Sequence, residues 1–151
     1  MKVVIIDAQG GGVGRMLTEQ IKKALPAQPI IALGTNALAT AAMLKAGADQ
    51  GGTGENAIRV TAAQADLILA PIGLLLCDGI LGEVTEVMAA AIGRSAAHKI
   101  LVPSPRCGVT VAGTQPLPLA EYISLAARAA VEYIRQQEDG GGDTLLSSGR
   151  K

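Results

Sequence analysis

The sequence predicts a single α/β domain in which helices cover both faces of a doubly wound, mostly parallel β-sheet, giving three layers. Short apolar runs alternate with longer amphipathic stretches rich in Ala and Leu, which is the pattern of βα units. The first run, residues 3–6, is apolar at every position, as expected of a strand buried on both faces. A chain of 151 residues fits one such domain, predicted at residues 1–138, and the Gly-rich residues 139–151 are predicted to be a disordered tail.

The individual elements follow from hydrophobic periodicity and from the residues that end helices and strands. Continuous apolar runs predict strands at residues 3–6, 30–33, 67–70 and 100–102, and two further short strands are expected at 58–60 and 109–111. Helices are predicted from Met16 to Leu25, from a cap at Thr35 or Asn36 to Gly47, from a cap at Thr85 to near Gly93, and from Leu119 to Gln136. Residues 51–54, Gly-Gly-Thr-Gly, are expected to form a flexible turn.

Composition narrows the possible partners. Thirteen Lys and Arg residues balance thirteen Asp and Glu residues, and the chain has no Trp, no Phe and only two Tyr. Neither a cationic surface nor aromatic stacking platforms are expected, so nucleic acid is not a predicted partner. The low charged fraction of 17% and the zero net charge favour self-association, and a homo-oligomer is predicted.

Cysteine and histidine content, together with the lengths of the apolar runs, bear on metal binding and on compartment. The chain has one His, and Cys77 and Cys107 lie thirty residues apart, which does not fit the close-spaced ligand pairs of a zinc site. No signal peptide is expected, and no apolar run is long enough to span a membrane. We therefore expect a cytoplasmic protein with reduced thiols, no metal and no membrane partner.

The strongest motif is a glycine-rich loop between the first strand and the first helix. Residues 9–14 read Gln-Gly-Gly-Gly-Val-Gly. Glycines permit a tight turn, and the helix behind them offers free N–H groups and the positive end of its dipole to a phosphate. The N–H groups of Gly11, Gly12 and Val13 are expected to carry most of this recognition. The dinucleotide-binding fingerprint is incomplete, because Arg15 stands where a third glycine would fall, and a tight turn without a ligand is the alternative.

The same loop does not fit the P-loop of nucleotide hydrolases. In that alignment Arg15 takes the place of the phosphate-contacting Lys, and Met16 takes the place of the Ser or Thr that ligates magnesium. The thioether of methionine is a soft ligand that does not suit magnesium. Binding of a nucleotide or dinucleotide phosphate is therefore predicted without ATP or GTP hydrolysis.

Further candidate residues follow the second and fourth predicted strands, at the carboxyl edge where open α/β sheets bind ligands. The second strand ends without the acid that typically holds the ribose of NAD, so NADP or an adenine mononucleotide fits at least as well as NAD. Thr35 and Asn36 are expected to bind a ribose or a second phosphate, and the turn from Pro71 to Gly73 is expected to line the base or nicotinamide side. The predicted cofactor-binding residues are Gln9, Gly10, Gly11, Gly12, Val13, Gly14, Thr35, Asn36, Pro71 and Gly73.

No catalytic residue is predicted. His98 precedes a strand, which places it on the side of the sheet away from the carboxyl edge. Cys77 and Cys107 fall on loops at that edge, and Arg106 favours a thiolate at Cys107, so a Cys-based redox protein is one alternative. The other alternative is a non-catalytic interaction or scaffold protein with a vestigial glycine loop. The apolar connection Leu74–Leu76 supports it as a surface for contacts with other chains.

Residues 7–14, 32–40, 52–58, 71–73 and 106–107 carry a resemblance to a known family. These segments are similar to those of a small bacterial family of Rossmann-like proteins, domain of unknown function 3842, and the resemblance runs over residues 1–135. It implies a small Rossmann-like domain whose shared segments include the loops at the carboxyl edge and Glu55, for which the sequence does not decide an edge of the sheet. It implies no activity and no substrate.

Overall fold

The computed structural model describes residues 1–142. Its five strands are β1 (Val3–Asp7), β2 (Ile30–Gly34), β3 (Gln50–Thr53), β4 (Leu67–Pro71) and β5 (His98–Val102). They form one sheet in the order β3-β2-β1-β4-β5, and every pair is parallel. The central strand β1 pairs Val3 with Ile30 of β2 on one side and with Leu67 of β4 on the other. The predicted parallel, doubly wound sheet is confirmed.

The helices cover both faces of this sheet. They are α1 (Gly12–Ala24), α2 (Ala37–Lys45), α3 (Glu55–Ala62), α4 (Glu86–Arg94) and α5 (Leu119–Gly142), with short 3₁₀ turns at Ile72–Leu75 and Pro105–Cys107. Helix α1 packs against α2 and α5 on one face, and α3 packs against α4 on the other. The three-layer α/β architecture is therefore confirmed.

The core consists of two apolar clusters separated by the sheet. Successive residues of a strand point to opposite faces. Accordingly, Val3 and Ile5 of β1 pack with α1 and α5, whereas Val4 and Ile6 pack with α3 and α4. Burying an aliphatic side chain fully contributes about 1.5–3 kcal/mol, so β1 must be apolar at every position to stabilise both layers.

Strand β3 lies where a flexible turn was predicted. A Cβ at Gly51 would lie 2.8 Å from Leu44 of α2, and a Cβ at Gly52 would lie 3.1 Å from Ala57 of α3. The two glycines are thus strand residues on which helices press from both sides. The prediction was wrong because glycine is rare in strands unless another part of the chain approaches closely.

Two other short strands predicted from the sequence are absent from the described residues. Residues 58–60 belong to α3, in which Ile58 and Ala62 are buried at helical spacing. Residues 109–111 form no strand, and Val109 and Val111 are each 39% exposed. Neither valine has the buried surroundings that favour an apolar strand, so the apolar pattern there is not a core pattern.

The observed helix boundaries agree with the predicted caps of α2 and α4, whereas one end each of α1 and α5 differs from the prediction. Asn36 caps α2, since its side chain accepts a hydrogen bond from the Ala39 N–H at 2.9 Å, and Thr85 caps α4 in the same way. Helix α1 begins earlier than predicted, within the glycine loop itself. Helix α5 continues to Gly142, beyond its predicted end at Gln136 and into residues assigned to the tail. The remaining tail, 143–151, lies outside the described residues.

Candidate functional site

The strand order reverses direction once, at the carboxyl ends of β1 and β4. The chain leaves β1 toward β2 and β3 and then returns to β4 on the other side of β1. In open α/β sheets this arrangement leaves a crevice between the two connections, and ligands bind there. The glycine loop, Thr35–Asn36 and the turn after Pro71 all leave from this edge. Glu55 also lies at this edge, because β3 ends at Thr53.

Two glycines of the loop are required by packing. Gly11 has a left-handed φ of +72°, and a Cβ there would lie 2.8 Å from the Cα of Ala39 in α2. A Cβ at Gly14, in the first turn of α1, would collide with the sulfur of Met43 and lie 2.9 Å from the Cβ of Asp7. Real Cβ atoms essentially never come this close to another atom. Gly11 and Gly14 therefore allow α1 to pack closely on α2 and β1.

Gly10 and Gly12 have a different environment. Both are exposed, and a Cβ at either would meet no atom within 4 Å. Gly12 is the first residue of α1, and the N–H groups of a first helical turn have no partner within the helix. The open side of the loop thus presents two glycines at the positive end of the α1 dipole, an arrangement that admits the close approach of a phosphate.

An acidic side chain lies beneath this open side. Asp7, the last residue of β1, is buried and accepts hydrogen bonds from the N–H groups of Gly14 at 2.7 Å and Ala8 at 2.8 Å. Burial raises the pKa of Asp7, the Gly14 and Ala8 N–H groups partly offset this, and the nearby charge of Glu83 raises the pKa further. The positive end of the α1 dipole is therefore already partly compensated by the Asp7 carboxyl group.

This arrangement narrows the set of N–H groups expected to face a phosphate. The Gly11 N–H donates to the Ala8 carbonyl at 3.0 Å, closing the turn. The Val13 N–H is one of the backbone groups that lower the pKa of Asp7. Of the three N–H groups predicted to recognise phosphate, those of Gly11 and Val13 thus also serve contacts within the chain.

Glu83 lies across the crevice and is the residue that sequence reasoning missed. Its carboxylate accepts hydrogen bonds from the Gln9 N–H at 3.1 Å, the Thr35 hydroxyl at 3.0 Å and the Asn36 side-chain amide at 2.6 Å. Three of the predicted binding residues are thus brought together around one carboxylate. A carboxylate is thus placed beside the end of β2 from a different connection, 74 positions from Gln9 in the chain.

Asn36 joins the three parts of this cluster. Its side-chain oxygen accepts from the Ala39 N–H, and its amide nitrogen donates both to Glu83 and to the Gln9 carbonyl, the latter at 3.0 Å. The same side chain therefore caps α2 and ties the glycine loop to Glu83. The sequence left capping and ligand binding as alternatives for Asn36, and in the structure its oxygen acts as the cap.

The connection that carries Glu83 has an unusual backbone. We call residues 76–85 the β4–α4 loop. Asp78, Ile80 and Leu81 have left-handed φ values of 59°, 54° and 54°. A left-handed conformation costs a residue with a side chain roughly 1–2 kcal/mol, and it is most unusual for a β-branched residue such as Ile80. Leu81 is 97% exposed at the tip, whereas Val84 at the base is fully buried.

The β4–α4 loop also covers the turn that was predicted to line the site. Pro71 ends β4 and is buried, and Gly73 is buried in the 3₁₀ turn that follows. A Cβ at Gly73 would lie 3.2 Å from Ile80 and 3.8 Å from the Cβ of Cys107. Pro71 and Gly73 are thus at the predicted edge of the sheet, but Gly73 faces Ile80 and not an open surface.

The remaining candidate residues lie apart from this cluster. His98 is the first residue of β5, at the amino edge of the sheet as predicted, where its ring stacks on Tyr133 with centroids 4.4 Å apart. Cys77 is exposed and Cys107 is half-buried, both as free thiols, and the Cys107 thiol donates to the Ser104 carbonyl. Among residues 1–142 no group of three or more His, Cys, Asp or Glu side chains is arranged to hold a metal. No helix in that range is long and apolar enough to cross a membrane.

Comparison with curated proteins finds no match. Among solved structures, the chain is similar to a dodecameric FMN-dependent UbiX-like decarboxylase from Escherichia coli O157:H7. The two share 15% sequence identity with a TM-score of 0.43, over 84% of this chain and 75% of the other. Nothing about ligand or activity follows from a likeness of this size. A family model, by contrast, matches residues 2–135, and the chain belongs to the family described as Domain of unknown function (DUF3842).

Proposed function

We propose that the protein binds a nucleotide or dinucleotide phosphate, of the NAD(P) or adenine-nucleotide type, at the carboxyl edge of β1 and β2. The observation that carries the proposal is the open space around Gly10 and Gly12, in contrast to Gly11 and Gly14, around which neighbouring atoms are closely packed. A plain turn needs glycine where the backbone is left-handed or crowded. Neither reason applies to the exposed Gly12, whereas a ligand that approaches the backbone requires a residue without a side chain.

The polar cluster supports a ribose or phosphate beside the loop. Three donors converge on the position of the Glu83 carboxylate, next to Gly10: the Thr35 hydroxyl, the Asn36 amide and the Gln9 N–H. Donors held by separate elements of the fold recognise a polar ligand group at low entropic cost. Thr35 and Asn36 therefore keep the role predicted for them, and Pro71 and Gly73 are proposed to contribute once the β4–α4 loop has moved.

Hydrolysis of the phosphate is not part of the proposal. Arg15, which stands in place of the P-loop Lys, forms an ion pair with Glu19 at 2.8 Å, one helical turn further along α1. Catalysis of phosphoryl transfer needs a cation and a metal ion placed on the transferred group. Arg15 is instead engaged along the helix, and Met16 offers no oxygen ligand.

Thermal unfolding in the presence of NAD⁺, NADP⁺ and AMP tests the proposal. A ligand at one hundred times its Kd stabilises the folded state by about 2.7 kcal/mol, so the Tm is expected to rise by roughly 5–10 °C. Gly12→Val should abolish the rise because its side chain fills the open side of the loop, while cooperative unfolding is retained. Gly93→Val is the matched control, since Gly93 is another exposed helical glycine with open space around it.

Two results would contradict the proposal. The first is a nucleotide panel that leaves the Tm unchanged at millimolar concentration. The second is a Gly12→Val variant that binds as tightly as the parent, because the phosphate would then lie elsewhere.

We further propose that the protein is a homo-oligomer. Exposed apolar side chains support this, in particular Leu81 at 97% and Leu38 at 68% exposure. Leu81 lies on the β4–α4 loop and Leu38 in the first turn of α2, and both segments follow the carboxyl end of a strand. Multi-angle light scattering at micromolar concentration is expected to give at least twice the monomer mass of 15.3 kDa. A monomer mass across that range would remove the proposal.

A further inference from the structure

The contacts of Glu83 outline a binding site that the chain itself fills. The Gln9 N–H, the Thr35 hydroxyl and the Asn36 amide all donate to its carboxylate, over distances of 2.6 to 3.1 Å. Convergent donors around one carboxylate are the arrangement by which proteins bind oxyanions. The occupant observed here identifies the kind of group that the site accepts.

The three donors are held in place independently of Glu83. The Thr35 N–H donates to the Asp7 carbonyl at 3.0 Å, which fixes the backbone of Thr35 beside β1. Asn36 is fixed by its cap on α2, and its amide also holds the Gln9 carbonyl. Because each donor has a second anchor, the site keeps its shape when the carboxylate leaves.

Glu83, by contrast, lies on the projecting β4–α4 loop. The base of the β4–α4 loop is closed by hydrogen bonds from Asp78 N–H to the Val84 carbonyl at 2.8 Å and from Val84 N–H to the Gly79 carbonyl at 3.2 Å. Its tip carries the left-handed Ile80, Leu81 and Gly82 before Glu83. Strained residues are retained where the surrounding structure or a function requires them.

The charge around the site selects the oxyanion. All three donors are neutral groups, and the negative charge of Glu83 already acts on the neighbouring Asp7. Three neutral donors beside an acidic side chain suit a singly charged group, such as a carboxylate or one phosphoryl group of the pyrophosphate of a dinucleotide. They suit a doubly charged phosphate monoester less well, because no cation among the hydrogen-bond partners of Glu83 balances the second charge.

We propose that Gln9, Thr35 and Asn36 form a subsite for a singly charged oxyanion, that Glu83 occupies it in the free protein, and that an oxyanion of the ligand displaces Glu83. The subsite stands on the contacts of Glu83 alone. The displacement rests on the proposed nucleotide function, and it makes the β4–α4 loop a lid over Gly73 that opens when the ligand binds.

Chemical rescue tests the subsite without any nucleotide. In Glu83→Ala, acetate and dimethyl phosphate should each raise the Tm in a saturable way by about 3–6 °C, the size expected for one site at ten times its Kd. Inorganic phosphate at pH 8, largely a dianion, should do so less. The parent and Glu86→Ala, which lacks an exposed carboxylate three residues away, should not respond.

The rescue has a clear negative outcome. A Glu83→Ala variant that unfolds cooperatively but responds to neither monoanion overturns the subsite, as does an equal response in all three proteins. A variant that folds only when acetate is present supports it. Should Glu83→Ala fail to fold under both conditions, the same titrations are made on Glu83→Gln, in which a rise of the Tm with both monoanions supports the subsite and no rise overturns it.

Calorimetric titration of NAD⁺ into the parent, Glu83→Gln and Glu86→Gln tests the displacement. Glu83→Gln is expected to bind about tenfold more tightly than the parent, because a charge-assisted set of contacts no longer has to be broken. Glu86→Gln should bind like the parent. Weaker binding by Glu83→Gln would mean that Glu83 itself contacts the ligand, which overturns displacement. Successful acetate rescue without binding of NAD⁺, NADP⁺ or AMP by any of the three proteins would leave the subsite in place and remove the proposed nucleotide function.

Discussion

The glycine loop contains two pairs of identical residues that are there for different physical reasons. Gly11 and Gly14 face inward, where a Cβ would meet Ala39, Met43 or Asp7 at distances that real atoms do not tolerate. Gly10 and Gly12 face outward, with no atom within 4 Å of a Cβ. A glycine motif read from sequence treats the four as equivalent, yet only the second pair bears on a ligand.

The inward pair explains how the loop is built. Gly14 allows the first turn of α1 to rest against the end of β1, and Asp7 then accepts the Gly14 N–H. The outward pair is left at the positive end of the helix dipole. Closeness to α2 and openness to a ligand are thus properties of neighbouring positions along one short segment.

The largest difference is expected between Gly14→Ala and Gly12→Ala. Gly14→Ala forces a methyl group against Met43 and the Cβ of Asp7, and overpacking of this kind lowers the free energy of unfolding by about 3 kcal/mol. Gly12→Ala meets no neighbour and restricts the unfolded chain, so it should raise that free energy by about 0.5 kcal/mol. Urea unfolding of both variants measures the difference, and equal effects would end the distinction between the two pairs.

A smaller effect on stability is expected from Asp7, whose carboxyl group accepts the Gly14 N–H of α1. Because burial raises the pKa of Asp7 in the folded protein, its contribution to stability is greatest below its ordinary pKa and is lost as the pH rises through the raised value. The free-energy difference between parent and Asp7→Asn should therefore shift against the parent with rising pH. The change amounts to about 1.4 kcal/mol for every tenfold difference in proton affinity between the folded and unfolded states.

Asp49 gives the matched control for this pH profile. Its pKa is lowered by a hydrogen bond from the Lys22 side chain and another from the Ile30 N–H. Its contribution is therefore present above its ordinary pKa and lost as the pH falls, so Asp49→Asn should change the profile in the opposite sense. Urea unfolding between about pH 2.5 and 7 compares the three proteins, with the Asp49 effect expected below pH 3.8 and the Asp7 effect above it. Parallel profiles for parent and Asp7→Asn would show that the Asp7 carboxyl is not destabilised by burial.

Most of the fold could be predicted because its central strands carry their own signal. The runs that became β1, β2 and β4 are apolar throughout, and strands buried on both faces require that. Strand β3 could not be predicted, since Gly51 and Gly52 are explained by side chains of other elements, among them Leu44 and Ala57 of the helices that pack on them. Residues 58–60 show the reverse error, because a short apolar run has the same pattern in a strand and in a buried helix turn.

The site was predictable only as far as topology determines it. Strand ends bring Gln9, Thr35 and Asn36 to one edge, and that convergence follows from a parallel sheet. Glu83 could not be predicted, since its place depends on the path of the β4–α4 loop with its left-handed Ile80 and Leu81. Neither residue type favours that conformation, and only the assembled structure shows it.

The free side of β3 is a poor template for aggregation. An edge strand exposes a row of unpaired N–H and carbonyl groups to which a strand of another molecule can add. Strand β3 has only four residues, two of them the glycines that fit beneath the helices, and little apolar side chain to hold an added strand. A chain in which 49% of residues are hydrophobic thus offers little on this side for edge-to-edge joining of sheets.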